Sequence, residues 1–359
     1  MDKQLKDVID TVQHNCHIAD ARHAGDYTLC VYLLKMREMY RWEQSIDFKT
    51  MLTTDDVGDW LTSREGVWDE LEEQEYKNLE IDEKTFKPFE NELINSTLDD
   101  KKLVYNAGLG IRSRPHFFIA ELEKFIQHDD YTIFISNKEF ARDMAAPPAM
   151  AQGKNIFVRR ESLRRVIWEI LDDARVAGLD NPLTRAMSFY DFETDPETAI
   201  NQMTEVEIEY VIEHEIGEVK AGELLGKLNV ANDGDQVWNE MLDTYSQTHA
   251  EIMLRAIRDH IADSITTLPK LLEDVSKGEN MASLHFYFGN LTAMRKHLAP
   301  KLVDAYQQWN ETGSLDLIQQ SADLSKNHWL KLSQQLIEQF LAAKDSSTIE
   351  EIITENKLI

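Results

Sequence analysis

Two cysteines in 359 residues, Cys16 and Cys30, are too few for a disulfide framework or a thiolate-built structural zinc site. On one helix they would stand about 21 Å apart, beyond disulfide reach, so reduced thiols are expected. Basic charge is also scarce, with 38 Lys and Arg against 65 Asp and Glu and a net charge of −27. Such a surface repels phosphate backbones and anionic bilayers, which argues against nucleic-acid and membrane partners. No stretch nears the ~20 apolar residues of a membrane span. The opening MDKQLKDVID carries charge where a signal peptide needs an apolar run, so a cytoplasmic location is expected. There is no internal repeat and no low-complexity tract.

The length suffices for one large core or two ordinary ones. Residues 1–46 read as a helical segment that packs on a bundle. Residues 47–100 are strongly acidic, with DELEEQEY and a breaking Pro88, and read as a loop-rich cover. Residues 101–160 read as a small α+β element, with a helical stretch to His128, then the β-branched run YTIFIS and the AAPPAM turn. From 161 to 359 nearly everything has helical period, with long helices expected over 197–225, 235–272, 281–309 and 315–343. A last helix starts at Ser347, where SSTIEE has a capping-box form. The fold class predicted is mainly α, a multi-helix bundle with a small central α+β element.

What the chain does have is metal-binding side chains in close spacing. His14, His17, Asp20 and His23 recur every third residue. Steps of three rotate a helix by about 300°, so the four fan out rather than stack. Leu5, Ile9 and Val12 mark a buried stripe that Cys16, Asp20, His23, Tyr27 and Cys30 would continue, unless Gly25 ends the helix. An Asp and a His three apart on a core-facing stripe are the informative pair, because a buried carboxylate needs a partner or a cation.

In ETAINQMTEVEIEYVIEHEIGEVKAGELLG, Ile208, Val211, Ile212, Ile216 and Val219 form the apolar face. Glu207, His214 and Glu218 project within about 40° of one another at its edge. Glu215 points into the face and requires a metal, an arginine or a proton, while Glu209 and Glu213 point to solvent. In DQVWNEMLDTYSQTHAEIMLRAIRDHIADSI, His249 and His260 sit on the apolar face, Asp263 at its margin and Glu251 away from it. About 16 Å of helix separates the two histidines, so at most one serves a given ion. Which one is left open, and a histidine satisfied within the core is the commoner role for either.

Three helices turning imidazole and carboxylate inward make a bundle interior that is expensive without a cation. Carboxylate-rich sites with few imidazoles suit iron or manganese. The pattern of Asp20-x-x-His23 with Glu207, His214 and Glu218 loosely resembles the helical di-iron carboxylate proteins, both ferritin-like and haem-oxygenase-like, but lacks the paired Glu-x-x-His motifs of the former. The phrases CHIADARHAGDYTLC, VGDWLTSREGVW and EYVIEHEIGE resemble an uncharacterised family of conserved bacterial cytosolic proteins, a resemblance that implies no activity. His214-Glu215-Ile216-Gly217-Glu218 also resembles the zinc peptidase motif H-E-x-x-H with the second His replaced, where Glu215 would be the base.

Gly108-Leu109-Gly110 with Arg112 and Arg114 lacks a complete G-x-G-x-x-G and reads as a loop. Arg159, Arg160, Arg164 and Arg165 stand out in so acidic a chain, with Arg160 and Arg164 as candidates to receive an anionic substrate group.

The expected function is a non-haem iron or manganese oxidase or oxygenase acting on a small molecule, with one or two ions. Asp20, His23, His214, Glu218 and one of His249 and His260 would be ligands, and Glu215, Glu207 and Tyr27 the proton-handling groups. The alternatives are an acidic scaffold with a buried polar network, which would pair Asp20 and Glu215 with Arg or Lys, and a zinc hydrolase.

Overall fold

The computed structural model describes residues 3–110, 113–177, 180–229 and 231–359. Its chain divides into two compact units, one of residues 1–168 with 192–204, the other of 169–191 with 205–359. No described helix is long and apolar enough to cross a membrane.

In the first unit, α1 (Lys3–His23) and α2 (Leu29–Glu43) are separated by a short 3-10 turn over Ala24–Asp26. The predicted stripe holds as far as Asp20, with Ile9, Val12, Cys16 and Asp20 buried. The helix then ends at His23, so Tyr27 and Cys30 do not extend it. Cys16 is buried and Cys30 exposed, and both are free thiols. Helix α3 (Thr54–Leu71) begins with a Thr53/Asp56 capping box. It is followed by the hairpin β1 (Leu79–Ile81) and β2 (Lys84–Phe86) and by α4 (Asn91–Leu98).

The remaining strands are β3 (Leu103–Leu109), β4 (Pro115–Gln127), β5 (Thr132–Arg142), β6 (Ala149–Gln152) and β7 (Asn155–Arg159), in the order β3-β4-β5-β7-β6. Strand β7 pairs parallel with β5 and the other pairs are antiparallel. This five-stranded sheet is more than a small element. The stretch ending near His128, read as helical, is strand β4, whose register shifts between Ile119 and Lys124 break the two-residue alternation that would have shown it. Residues 47–100 are likewise more than cover. Leu79, Ile81, Phe86, Ile94 and Leu98 join Val12 and Cys16 of α1 and Tyr105, Phe117 and Ile119 of the sheet in one core. Cys16 donates to the Phe117 carbonyl at 3.3 Å.

Helix α5 (Arg160–Ala177) carries the chain from one unit into the other. The second unit contains α6 (Pro182–Met187), most of α7 (Pro196–Leu228), α8 (Gly234–Thr244), α9 (His249–Ile265), α10 (Thr267–Ser276), α11 (Met281–Asn290), α12 (Ala293–Leu298), α13 (Pro300–Thr312), α14 (Asp316–Ala342) and α15 (Ser346–Glu355). The long helices expected over 235–272 and 281–309 are each broken into three. Thr248 and Thr292 cap new helices, and Pro300 opens α13. Helix α9 is central, its Leu254, Ile257 and Ile261 packed among Trp238, Trp329, Leu336 and Phe340.

Gly217 sets how closely α7 approaches α9. A Cβ there would lie 2.6 Å from the Ala262 carbonyl oxygen, which is main chain and cannot swing aside. Alanine gains up to about 1 kcal/mol in helix propensity, but overpacking of this kind costs about 1–3 kcal/mol. Gly217→Ala is therefore expected to lower the melting temperature despite the better helix former. A rise would mean the two helices part without cost.

Candidate metal centre

The Gly217–Ala262 contact brings two pairs of side chains face to face, each pair one helical turn apart. Helix α7 contributes His214 and Glu218, and α9 contributes Asp259 and Asp263. Among the described residues, His214, Glu218 and Asp259 are the one group of three that could hold an ion, with a ligand atom of each within 4.8 Å of the others.

Asp263, 1% exposed, lies behind this group. Its Oδ1 is 2.7 Å from His214 Nδ1, and its Oδ2 accepts from Tyr287 Oη at 2.8 Å and from the Arg295 guanidinium. With Nδ1 engaged, Nε2 is the nitrogen left to meet an ion, the arrangement carboxylates impose on metal-bound histidines. Burial opposes charge on His214, yet Asp263, Glu215 and Asp259 outweigh it and raise the imidazole to about 10. Burial likewise works against Asp263, but Arg295 and His214 hold its carboxyl far below the usual range.

Glu218 Oε2 accepts from Arg258 Nε at 2.7 Å, and Arg258 also reaches Asp235 at 2.8 Å. Glu218 Oε1 is buried without a hydrogen-bond partner among the described residues. Asp259 stands 4.0 Å from Arg295 Nε. Burial, with Glu218 and Asp263 adding to it, raises its carboxyl against the pull of Arg295 and His214. Glu218 and Asp235 thus share Arg258, while Asp259 and Asp263 face Arg295. The three possible ligands keep side-chain exposures of 29% for His214, 17% for Glu218 and 35% for Asp259, so water can reach them.

The other predicted residues are elsewhere. Asp20 is fully buried in the first unit, where it accepts from Arg114 at 2.8 Å and from the Met144 amide at 3.0 Å. Burial and Asp143 lift its carboxyl to about 7 against the pull of Arg114. Tyr27 accepts from the same Arg114 at 2.6 Å, and burial raises its phenol to about 12. His23 Nδ1 lies 3.1 Å from Asp26. Asp20 and His23 belong to one unit and the His214 group to the other, and among the described residues neither Asp20 nor His23 is in a group of three that could hold an ion.

His249 is exposed, 3.5 Å from Glu350, and does not sit on a buried face. His260 is a core histidine, 5.3 Å from and parallel to the Trp329 ring, with Nε2 3.1 Å from the Arg295 carbonyl. Burial and Arg295 lower it to about 3. Glu251 does not point away as expected. It is buried and accepts from Arg255 at 2.9 Å and the Gln247 amide at 2.8 Å. Glu207 is buried and accepts from Ser283 Oγ at 2.6 Å, outside the group. Arg160 forks onto Glu123 at 2.8 and 2.9 Å, and Arg164 pairs with Glu197. Arg112 lies outside the described residues, and Arg114 is committed to Asp20 and Tyr27.

Sequence reasoning passed over Asp259, Arg258, Tyr287 and Arg295. The one available signal was the four-residue spacing of Asp259 and Asp263 in RDHIAD, which matches that of His214 and Glu218.

Comparison with known proteins adds a family and no activity. The N-terminal domain model of a family of unknown function, DUF6866, matches residues 7–159, and the C-terminal domain model of that family matches residues 164–356. The chain belongs to this family. No curated protein and no solved structure matches it.

Proposed function

We propose that this member of a family without an assigned activity is a metal-dependent enzyme acting on a small molecule, with one divalent ion held by His214, Glu218 and Asp259. The observation that carries the reading is that a ligand atom of each of these three groups lies within 4.8 Å of the others, with His214 Nδ1 held by Asp263. The partnerless Glu218 Oε1 fits the same reading, because a buried carboxylate oxygen without a donor is costly unless a cation takes it.

One imidazole and two carboxylates form a mainly hard set, which favours iron or manganese over zinc. Three protein ligands with partial exposure suit a working site with open positions better than a closed structural one. The bound ion would supply Lewis acidity and, if iron or manganese, one-electron chemistry. The chain's own part is positioning. Tyr287 and Arg295 fix Asp263, Asp263 fixes the His214 ring, and Arg258 anchors one oxygen of Glu218 while leaving the other for the ion. Glu215, buried beside His214 and felt there electrostatically, is the candidate proton acceptor. This is a non-haem oxidase or oxygenase reading; zinc would turn the same geometry toward hydrolysis with Glu215 as base.

Elemental analysis of the chain, purified without chelator or affinity tag, tests it. Wild type is expected to carry about one equivalent of iron or manganese, lost in His214→Ala and Glu218→Ala while helicity persists. Asp263→Asn is expected to weaken binding about 10–100-fold. Zinc as the sole metal would transfer the reading to a hydrolase. No metal in fresh protein, and none taken up on anaerobic reconstitution, would leave the cluster as a structural ion network.

A further inference from the structure

The first unit contains a cavity of about 310 Å³ whose walls are unusual for so acidic a chain. Arg41, Trp42, Phe48, Arg142, Arg164 and Arg165 line it, bringing four guanidiniums to one small space. Three lie over aromatic rings. Arg142 lies 4.6 Å over Trp42, and Arg164 and Arg41 lie 4.8 and 5.9 Å over Phe48, itself stacked at 5.3 Å on Trp168. Guanidiniums lying over ring faces present their N–H forks with less rotamer freedom left to lose.

The carboxylates nearby are mostly committed. Glu38 accepts from Arg37 at 2.7 Å and from Arg41 at 3.1 Å. Glu197 takes Arg164 and the Phe48 amide at 2.8 Å. Glu161 accepts the Glu139 amide at 2.6 Å, and burial together with Glu139 raises its carboxyl, which weakens it as a counter-ion. Arg142 is the cation left poorly matched. It is 3% exposed, its side chain makes one hydrogen bond, a long one of 3.4 Å to the Glu38 carbonyl, and its nearest carboxylate oxygen, Glu139 Oε2, is 3.6 Å away. Glu139 is already engaged with Arg159 at 2.9 Å and Ser162 at 2.6 Å. A buried guanidinium that opens on a cavity and has no carboxylate in hydrogen-bonding range among the described residues lacks an anion.

We infer that this cavity binds a small organic anion, its carboxylate or phosphate head on Arg142 with Arg164 at the mouth and its body against Ile46, Trp42 and Phe48. A bare oxyanion would leave most of the volume unfilled, and the cavity sits at the lower end of the range seen for small-molecule sites. The inference does not depend on the metal reading. The two sites are in different units and share no residue.

Titration calorimetry of the full chain tests it with four probes: inorganic phosphate, phenyl phosphate, benzoate and, as a neutral control, benzyl alcohol. Saturable binding is expected for phenyl phosphate or benzoate, whichever head fits, tighter than for inorganic phosphate and absent for benzyl alcohol. Arg142→Gln is expected to weaken it about tenfold or more, the loss of one charge-assisted fork. Arg142→Lys should recover only part, whereas Arg160→Gln, which touches Glu123 and not the cavity, should bind as wild type does. If Arg142→Gln fails to fold, Arg164→Gln at the partly exposed mouth replaces it, with a severalfold loss expected. Absence of saturable binding for all three anions, equal binding of benzyl alcohol, or binding indifferent to the Arg142 and Arg164 variants would each overturn the inference.

Discussion

Replacing Asp263 with alanine is expected to cost about 3–5 kcal/mol of stability, the range for removing one member of a buried ion network and stranding the others. Asp263 is the anion that Arg295 and His214 share, and Tyr287 also donates to it. Without it, a guanidinium and an imidazole raised by that same carboxylate are left close together in a buried setting. Arg295→Met alone should cost a similar amount by stranding Asp263. The double variant should cost less than the two singles combined, because neither charge then lacks its partner. Because its carboxyl is depressed in the folded chain, Asp263 contributes fully above its unfolded value near 4. That contribution declines as acid protonates the unfolded state and is lost only as pH falls through the far lower folded value. Denaturant unfolding at pH 7 and pH 3 measures both effects. Single costs under about 1 kcal/mol that simply add would show the network to be uncoupled.

That network shows what can and cannot be read along one chain. Helical period revealed α1 as far as Asp20, the apolar face of α7, and the helical character of the C-terminal half, because each depends on residues three and four apart. The breaks at Thr248 and Thr292 were not foreseen, since a cap looks like any threonine inside a run that is apolar on both sides. Strand β4 reads as helix because Glu121, Glu123 and Lys124 are good helix formers and its register shifts hide the alternation. At the candidate centre, the projection of α7 placed His214 and Glu218 on one edge. Their partners on α9 required the register between two helices, which Gly217 sets through a main-chain contact that no sequence period encodes. His260 stands out in the sequence as a histidine on an apolar face, while Asp259 beside it, the residue grouped with His214 and Glu218, reads as surface charge. Asp20 was correctly expected to be buried and in need of a partner. That the partner is Arg114, 94 positions along the chain, was beyond reach.

Glu207→Gln is expected to stabilise the protein at alkaline pH and to leave it nearly unchanged in acid. Glu207 is 4% exposed, and Ser283 Oγ, at 2.6 Å, is the donor it meets. Burial therefore dominates, and although the Ser283 bond pulls the other way, the carboxyl rises from 4.5 to about 7. Between those two values the folded chain holds a proton that the unfolded chain has released, so stability falls as pH rises from 4.5 to 7 and the penalty is complete above 7. A shift of this size corresponds to about 3 kcal/mol. Glutamine keeps the shape and an oxygen for the Ser283 hydroxyl, and carries no charge at any pH. The variant should thus exceed wild type by about 2–3 kcal/mol at pH 8.5 and match it within about 1 kcal/mol at pH 4.5. Melting temperatures across that range test the slope itself. An equal offset at every pH would place the cause in packing, whereas a variant less stable at pH 8.5 would show that the ionised carboxylate has a partner worth more than its burial costs.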